Sequence, residues 1–182
     1  MYRKNEVRKG LCLFLLLGCV AVAQWDFQAF LTGSSEVPPN ASAATGTATL
    51  VLNAEQTRLT MHLTVFGLDL NEVTGLHIHN APVGVNGGVV FGLIGINNDL
   101  NGDLLIDSEA GTVISAWDLL EGNNTTLADQ LNNLFAGNLY INVHTPTFPG
   151  GEIRGQIVPE PATVTLMLLG SLGLLRRKRI AS

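Results

Sequence analysis

Polar and apolar residues alternate through most of the middle of this chain, and the alternation predicts strands. Trp25-Asp26-Phe27-Gln28-Ala29-Phe30 changes character at each step, and Thr45–Leu52 and Leu59–Phe66 do the same with many β-branched residues. A period of two places one apolar face against a core and one polar face away from it. Further strands are expected at Leu76–His79, Val89–Ile94, Leu139–His144 and Ile153–Val158. Gly67, Gly75, Gly84, Gly87-Gly88 and Pro149-Gly150-Gly151 punctuate these runs as turns. Thr126 to Leu134 has the other period: Thr126 can cap a helix, Asp129 stands three residues on, and Leu127, Leu131 and Leu134 share a face. Short strands joined by glycine-rich turns predict an all-β fold, an antiparallel β-sandwich or barrel with one short helix and no internal repeat.

Both ends break the alternation. Arg3, Lys4, Arg8 and Lys9 precede an apolar run from Leu11 to Val20, and Ala21-Val22-Ala23 forms a small-x-small cleavage site before Gln24. That order is a secretory signal peptide over residues 1–23. The apolar run is about half the ~20 residues that a bilayer span needs. Leu16-Leu17-Gly18-Cys19 has the look of a lipobox, which would place a lipid on Cys19; the Ala-Val-Ala site is the better formed of the two. At the other end Pro159-Glu160-Pro161 leads into Ala162–Leu175, which carries no charge, and then Arg176-Arg177-Lys178-Arg179. An apolar stretch stopped by a basic cluster puts the cluster in the cytoplasm and the domain outside, with 162–175 short for a permanent span. The motif, stretch and cluster over 158–182 resemble the PEP-CTERM sorting signal. The resemblance implies export by a Gram-negative bacterium, processing by an exosortase, and release toward the cell surface or an exopolysaccharide matrix.

Removing the ends changes the charge. Residues 24–160 keep fourteen acids against Arg58 and Arg154 alone, a formal net charge of −12, with no lysine. Nucleic acid is excluded as a partner, because phosphate binding needs clustered cations. Such a surface attracts divalent cations. Cys12 and Cys19 fall within the signal, so the exported domain has no disulfide and must be held by its core.

The domain itself, residues 24–157, carries a second resemblance. Phe27-Gln28-Ala29-Phe30-Leu31-Thr32-Gly33 with Glu36-Val37-Pro38-Pro39 is similar to the opening of the CHRD domain, found in the animal protein chordin and in microbial exported proteins. Gly75-Leu76-His77-Ile78-His79-Asn80-Ala81-Pro82 resembles its central His-Ile-His-Gly-Pro-Ala motif, with Asn80 in place of Gly. Leu139–Thr145 and Pro149–Gln156 resemble its closing motifs. The resemblance implies an immunoglobulin-like β-barrel with limited similarity to copper/zinc superoxide dismutases, and implies no defined activity.

Read by strand geometry, His77 and His79 share a face opposite Leu76 and Ile78, and Tyr140, Asn142 and His144 share a face opposite Leu139, Ile141 and Val143. Glu152 and Arg154 flank Ile153 in the same way. If the strands are neighbours, His77, His79 and His144 converge and can supply ligands for zinc or copper. The other reading makes the histidines, Asn142, Glu152 and Arg154 a structural hydrogen-bonded network on the outward polar face. Asn97, Asp99, Asn101 and Asp103, with Gly102, hold calcium-loop spacing, but Asn97 replaces Asp at the first position and Ser108 replaces Glu at the twelfth. An Asn/Asp/Gly turn between strands accounts for the same residues. No Gly-x-Ser-x-Gly elbow, phosphate loop or dinucleotide fingerprint is present. The expected function is therefore a non-enzymatic surface or matrix protein with a binding or structural role; the alternative is a metal-binding protein or metalloenzyme with a dismutase-like histidine site.

Overall fold

The computed structural model describes residues 24–160, and the expected signal peptide, Cys19, Pro161, the 162–175 stretch and the basic cluster lie outside them. Nine strands and one helix follow in order: β1 (Trp25–Thr32), β2 (Thr45–Leu52), β3 (Arg58–Phe66), β4 (Gly75–Asn80), β5 (Gly88–Ile94), β6 (Leu105–Asp107), β7 (Thr112–Asp118), α1 (Leu127–Phe135), β8 (Leu139–His144) and β9 (Ile153–Pro159). All pair antiparallel in one curled sheet of order β5-β4-β8-β9-β1-β2-β3-β7-β6. The fold is all-β, a half-barrel with one short helix, as the alternation predicted.

The alternating positions supply the core. Leu50, Leu52, Leu63, Leu76, Ile78, Ile141 and Ile153 are no more than 2% exposed and form one cluster with residues of every long strand. Side chains bridge the half-barrel where no strands pair. Phe91 of β5 stacks on Trp117 of β7 at 5.0 Å between centroids and 8° between planes, although these strands stand near opposite ends of the sheet. The segment after β7 crosses the same gap, where the Asn123 amide donates to the Val90 carbonyl (2.7 Å). The helix starts on the expected cap: Thr126 and Asp129 form a reciprocal capping box.

Three differences from the sequence reading matter. β6 and β7 were not expected: β6 has three residues, all exposed, and β7 carries Ile114 outward and Ser115 inward, so its apolar and polar positions are out of phase with a simple half-buried strand. β9 runs through Pro159, and the Glu160 amide donates to the Asp26 carbonyl (2.8 Å), so the Pro-Glu-Pro motif begins inside the last strand. The third difference is the largest. The polar face of β4, β8 and β9 does not look onto solvent: His79, Tyr140, Asn142 and Arg154 are 8%, 1%, 4% and 2% exposed. The segments between β1 and β2 and between β4 and β5 lie over it, and the backbone of the second bonds His79, Tyr140 and Arg154.

Candidate metal centre

β4 and β8 lie side by side with Gly75 opposite His144, His77 opposite Asn142 and His79 opposite Tyr140. This register brings the three histidines together. One nitrogen from each of His77, His79 and His144 lies within 4.8 Å of the others. Ring centroids are 5.1 Å apart for His77–His144, 5.6 Å for His77–His79 and 6.1 Å for His79–His144. Gly75 makes the room: a Cβ there would stand 2.8 Å from His77 Cε1 and 3.1 Å from His144 Cδ2.

Two of the rings are pinned from behind. His79 Nδ1 is 3.0 Å from the Gly87 carbonyl and His144 Nδ1 is 3.1 Å from the Pro149 carbonyl. A carbonyl only accepts, so each Nδ1 carries the proton and each Nε2 keeps a lone pair. Those Nε2 atoms, and both nitrogens of His77, are buried without a hydrogen-bond partner. Burial, reinforced by His144 and His79, pushes His77 down to about 4. Burial likewise lowers His79, with added repulsion from His144 and Arg154, and lowers His144 against the pull of the Pro149 carbonyl. All three are thus neutral at neutral pH, the form that binds metal.

Behind His79 lies a stack that the sequence did not reveal. His79 lies flat on Tyr140 at 4.8 Å and 9°, and the Arg154 guanidinium carbon is 3.4 Å from the Tyr140 ring centroid. Arg154 donates to Asn86 Oδ1 (3.0 Å) and to the Val85 carbonyl (2.6 Å). The Tyr140 hydroxyl accepts from the Gly87 amide (3.1 Å). Gly87 is required by close approach, since a Cβ would collide with the Asn80 carbonyl. The loop that orients His79 is therefore itself held by Tyr140 and Arg154.

Asn142, Glu152 and Arg154 do not form one network. Glu152 lies just before β9 and accepts from Ser42 Oγ (2.7 Å) and Thr145 Oγ1 (2.6 Å). Arg154 bonds the β4–β5 loop instead, and among the described residues makes no ion pair. The acid that feels its charge is Glu36, which sequence reasoning quoted only as part of a motif. Glu36 is 5% exposed, and burial raises its pKa to about 7 despite Arg154. Its Oε1 and the neighbouring Asn142 Oδ1 are both buried without a partner. The signal for this region was available in one respect: Arg154 is one of two arginines in a lysine-free domain and sits within a strand.

The 97–103 loop is arranged differently. Asn97 Oδ1 accepts from the Asp99 amide, and Asp99 accepts from the amides of Gly102, Asp103 and Leu104. Asn101 Oδ1 accepts from the Asp103 amide, while Asp103 accepts from Ser115, the Ala116 amide and Arg58. Burial would raise Asp103, but the Ala116 amide and Arg58 hold it below the usual carboxylate range. His62, the remaining histidine, is exposed on the outer face of β3.

A family model described as the CHRD domain matches residues 27–157. A second, described as the PEP-CTERM protein-sorting motif, matches residues 158–179 and marks an exported, exosortase-targeted surface protein. Neither the curated proteins nor the solved structures gave a match. Among the described residues no helix is long and apolar enough to cross a membrane.

Proposed function

The chain belongs to the CHRD domain family, and from that premise we propose that it is a surface-displayed binding module which holds zinc or copper through His77, His79 and His144. One observation carries the reading: three neutral imidazoles turn unpartnered, buried nitrogens toward one another. A buried polar atom without a partner costs about 1–3 kcal/mol, and a metal ion would relieve several at once. Imidazole nitrogen suits zinc and copper, whereas calcium and magnesium want oxygen. The surrounding domain, at −12, draws cations to it. The sorting motif supports delivery outside the cell by way of an exosortase and a transient stay at the inner membrane through 162–175. The boundaries 1–23, 24–157 and 158–182 and a final place in an exopolysaccharide matrix belong to the same proposal. Binding rather than catalysis is its content, since no nucleophile constellation stands in the sequence.

Titration calorimetry with zinc and with copper tests it. The protein is expected to bind one ion per chain, and His77→Ala/His79→Ala to bind none at that site. Equal and negligible heats for both proteins would leave the histidines as structural residues.

A further inference from the structure

The last strand ends inside the sorting motif, and its end is weakly held. β9 lies between β8 and β1, but β8 pairs with it no further than Leu139 opposite Ile157. Among the described residues, Val158 and Pro159 are paired by β1 alone, opposite Gln28 and Phe27. Beyond them the Glu160 amide donates to the Asp26 carbonyl (2.8 Å). Pro159 has no N–H to give to a ladder. The side chains of Val158, Pro159 and Glu160 are all exposed, so little apolar burial backs the pairing.

Charge loosens this end further. The register that sets Pro159 opposite Phe27 sets Glu160 opposite Asp26. Directly opposed residues share a face of the sheet, about 4.5–5.5 Å apart at Cβ, and like charges there push the strands apart. Asp26 is exposed, alternating with the buried Phe27, and it accepts from Gln24 Nε2 (3.2 Å). In sequence only Pro161 stands between Glu160 and the apolar 162–175 stretch. An enzyme that processes a peptide grips several residues of it in extended form. While β1 holds one edge of Val158–Glu160, the chain has no slack to offer.

We propose that the paired form of the motif is not what the exosortase takes, and that Val158–Glu160 must first peel away from β1. The facing acids Asp26 and Glu160 set how often they do so. The inference rests on the sorting reading above and is independent of the metal. Strand ends that open locally expose their chain in proportion to the open population, so processing follows the strength of this pairing.

The test is a pulse–chase of the full chain in cells that hold the exosortase, with mass analysis reading the loss of Arg176–Arg179. Asp26→Lys turns the opposed pair attractive and should slow that loss by about 3–10-fold, with Asp26→Asn between it and the parent. Neither variant alters the motif, and Asp26 is exposed, so the core is untouched. Hydrogen exchange at the Glu160 amide of the purified full chain should slow in the same order. Two glycines inserted between Val158 and Pro159 carry the motif off the strand; that chain should be processed at least as fast as the parent and should ignore Asp26→Lys. Slower exchange in Asp26→Lys with unchanged tail loss would overturn the inference, as would equal slowing by Asp26→Lys in the inserted chain. A basic tail retained by the parent and the inserted chain alike would overturn the sorting reading together with it.

Discussion

The 97–103 loop and the histidine cluster both carry residue types that bind cations, the first through oxygen and the second through nitrogen. In the loop, the side-chain oxygens of Asn97, Asp99, Asn101 and Asp103 all accept from amides, Ser115 or Arg58. In the cluster, Nε2 of His79 and His144 and both nitrogens of His77 accept from nothing. The difference lies in what already occupies the lone pairs, not in residue type. An Asx-rich turn holds its own backbone together with the same oxygens a calcium ion would want. The histidines have two rings fixed by carbonyls on the far side, which leaves the near side free.

That contrast can be broken most sharply on metal affinity. His77→Ala/His79→Ala removes two ligands and should lower zinc affinity by more than about 1000-fold, since even loss of an outer partner costs 10–100-fold. Asp99→Ala should leave zinc affinity unchanged; a comparable loss there would mean that zinc binds the loop.

Next in size is the loop's structural role. Asp103→Ala strips acceptors from Arg58, Ser115 and the Ala116 amide. It should lower stability by about 2 kcal/mol in urea denaturation. A change within error would show that these bonds do not hold the loop.

A smaller effect distinguishes the histidines by pH. Their folded-state pKa values lie below the ordinary 6.5, with His77 at about 4. The unfolded chain therefore binds protons first, and the metal-free protein should lose about 1–2 kcal/mol as pH falls from 6.5 toward 4, after discounting for partial exposure. Glu36 works in the opposite sense: its folded pKa of about 7 exceeds the ordinary 4.5. Its contribution is complete below 4.5 and disappears as pH rises through 7. Glu36→Gln should thus stabilise the protein at pH 8 and leave a steeper loss on acidification; a parallel pH–stability curve would refute the assignment. Least of all is the calcium effect: millimolar Ca²⁺ should shift Tm by less than about 1 °C, because an ion that does not prefer the folded loop cannot stabilise it. A larger rise that Asp99→Ala abolishes would restore the loop as a calcium site.

Much of this was legible in the sequence. Thr45–Leu52 and Leu139–His144 run as strands over the expected residues, because strict alternation states both the period and the ends. Thr126 and Asp129 announced the helix start through their capping chemistry. The meeting of His77, His79 and His144 followed from alternation once β4 and β8 were allowed to be neighbours. The fate of the polar face did not follow. Alternation says which side chains share a face, not what lies over it, and the loops bearing Glu36 and Gly87 have no periodic signal. So Tyr140 and Arg154 read as solvent-facing and are buried. β7 was missed for a related reason: Ser115 points inward to bond Asp103 and Ile114 points out, reversing the expected polarity.

X-ray absorption at the zinc edge of the zinc-loaded protein tests the central claim most directly. Three imidazole nitrogens at about 2.0–2.1 Å with one further light ligand are expected. An all-oxygen shell, or zinc that washes out on desalting, would contradict it.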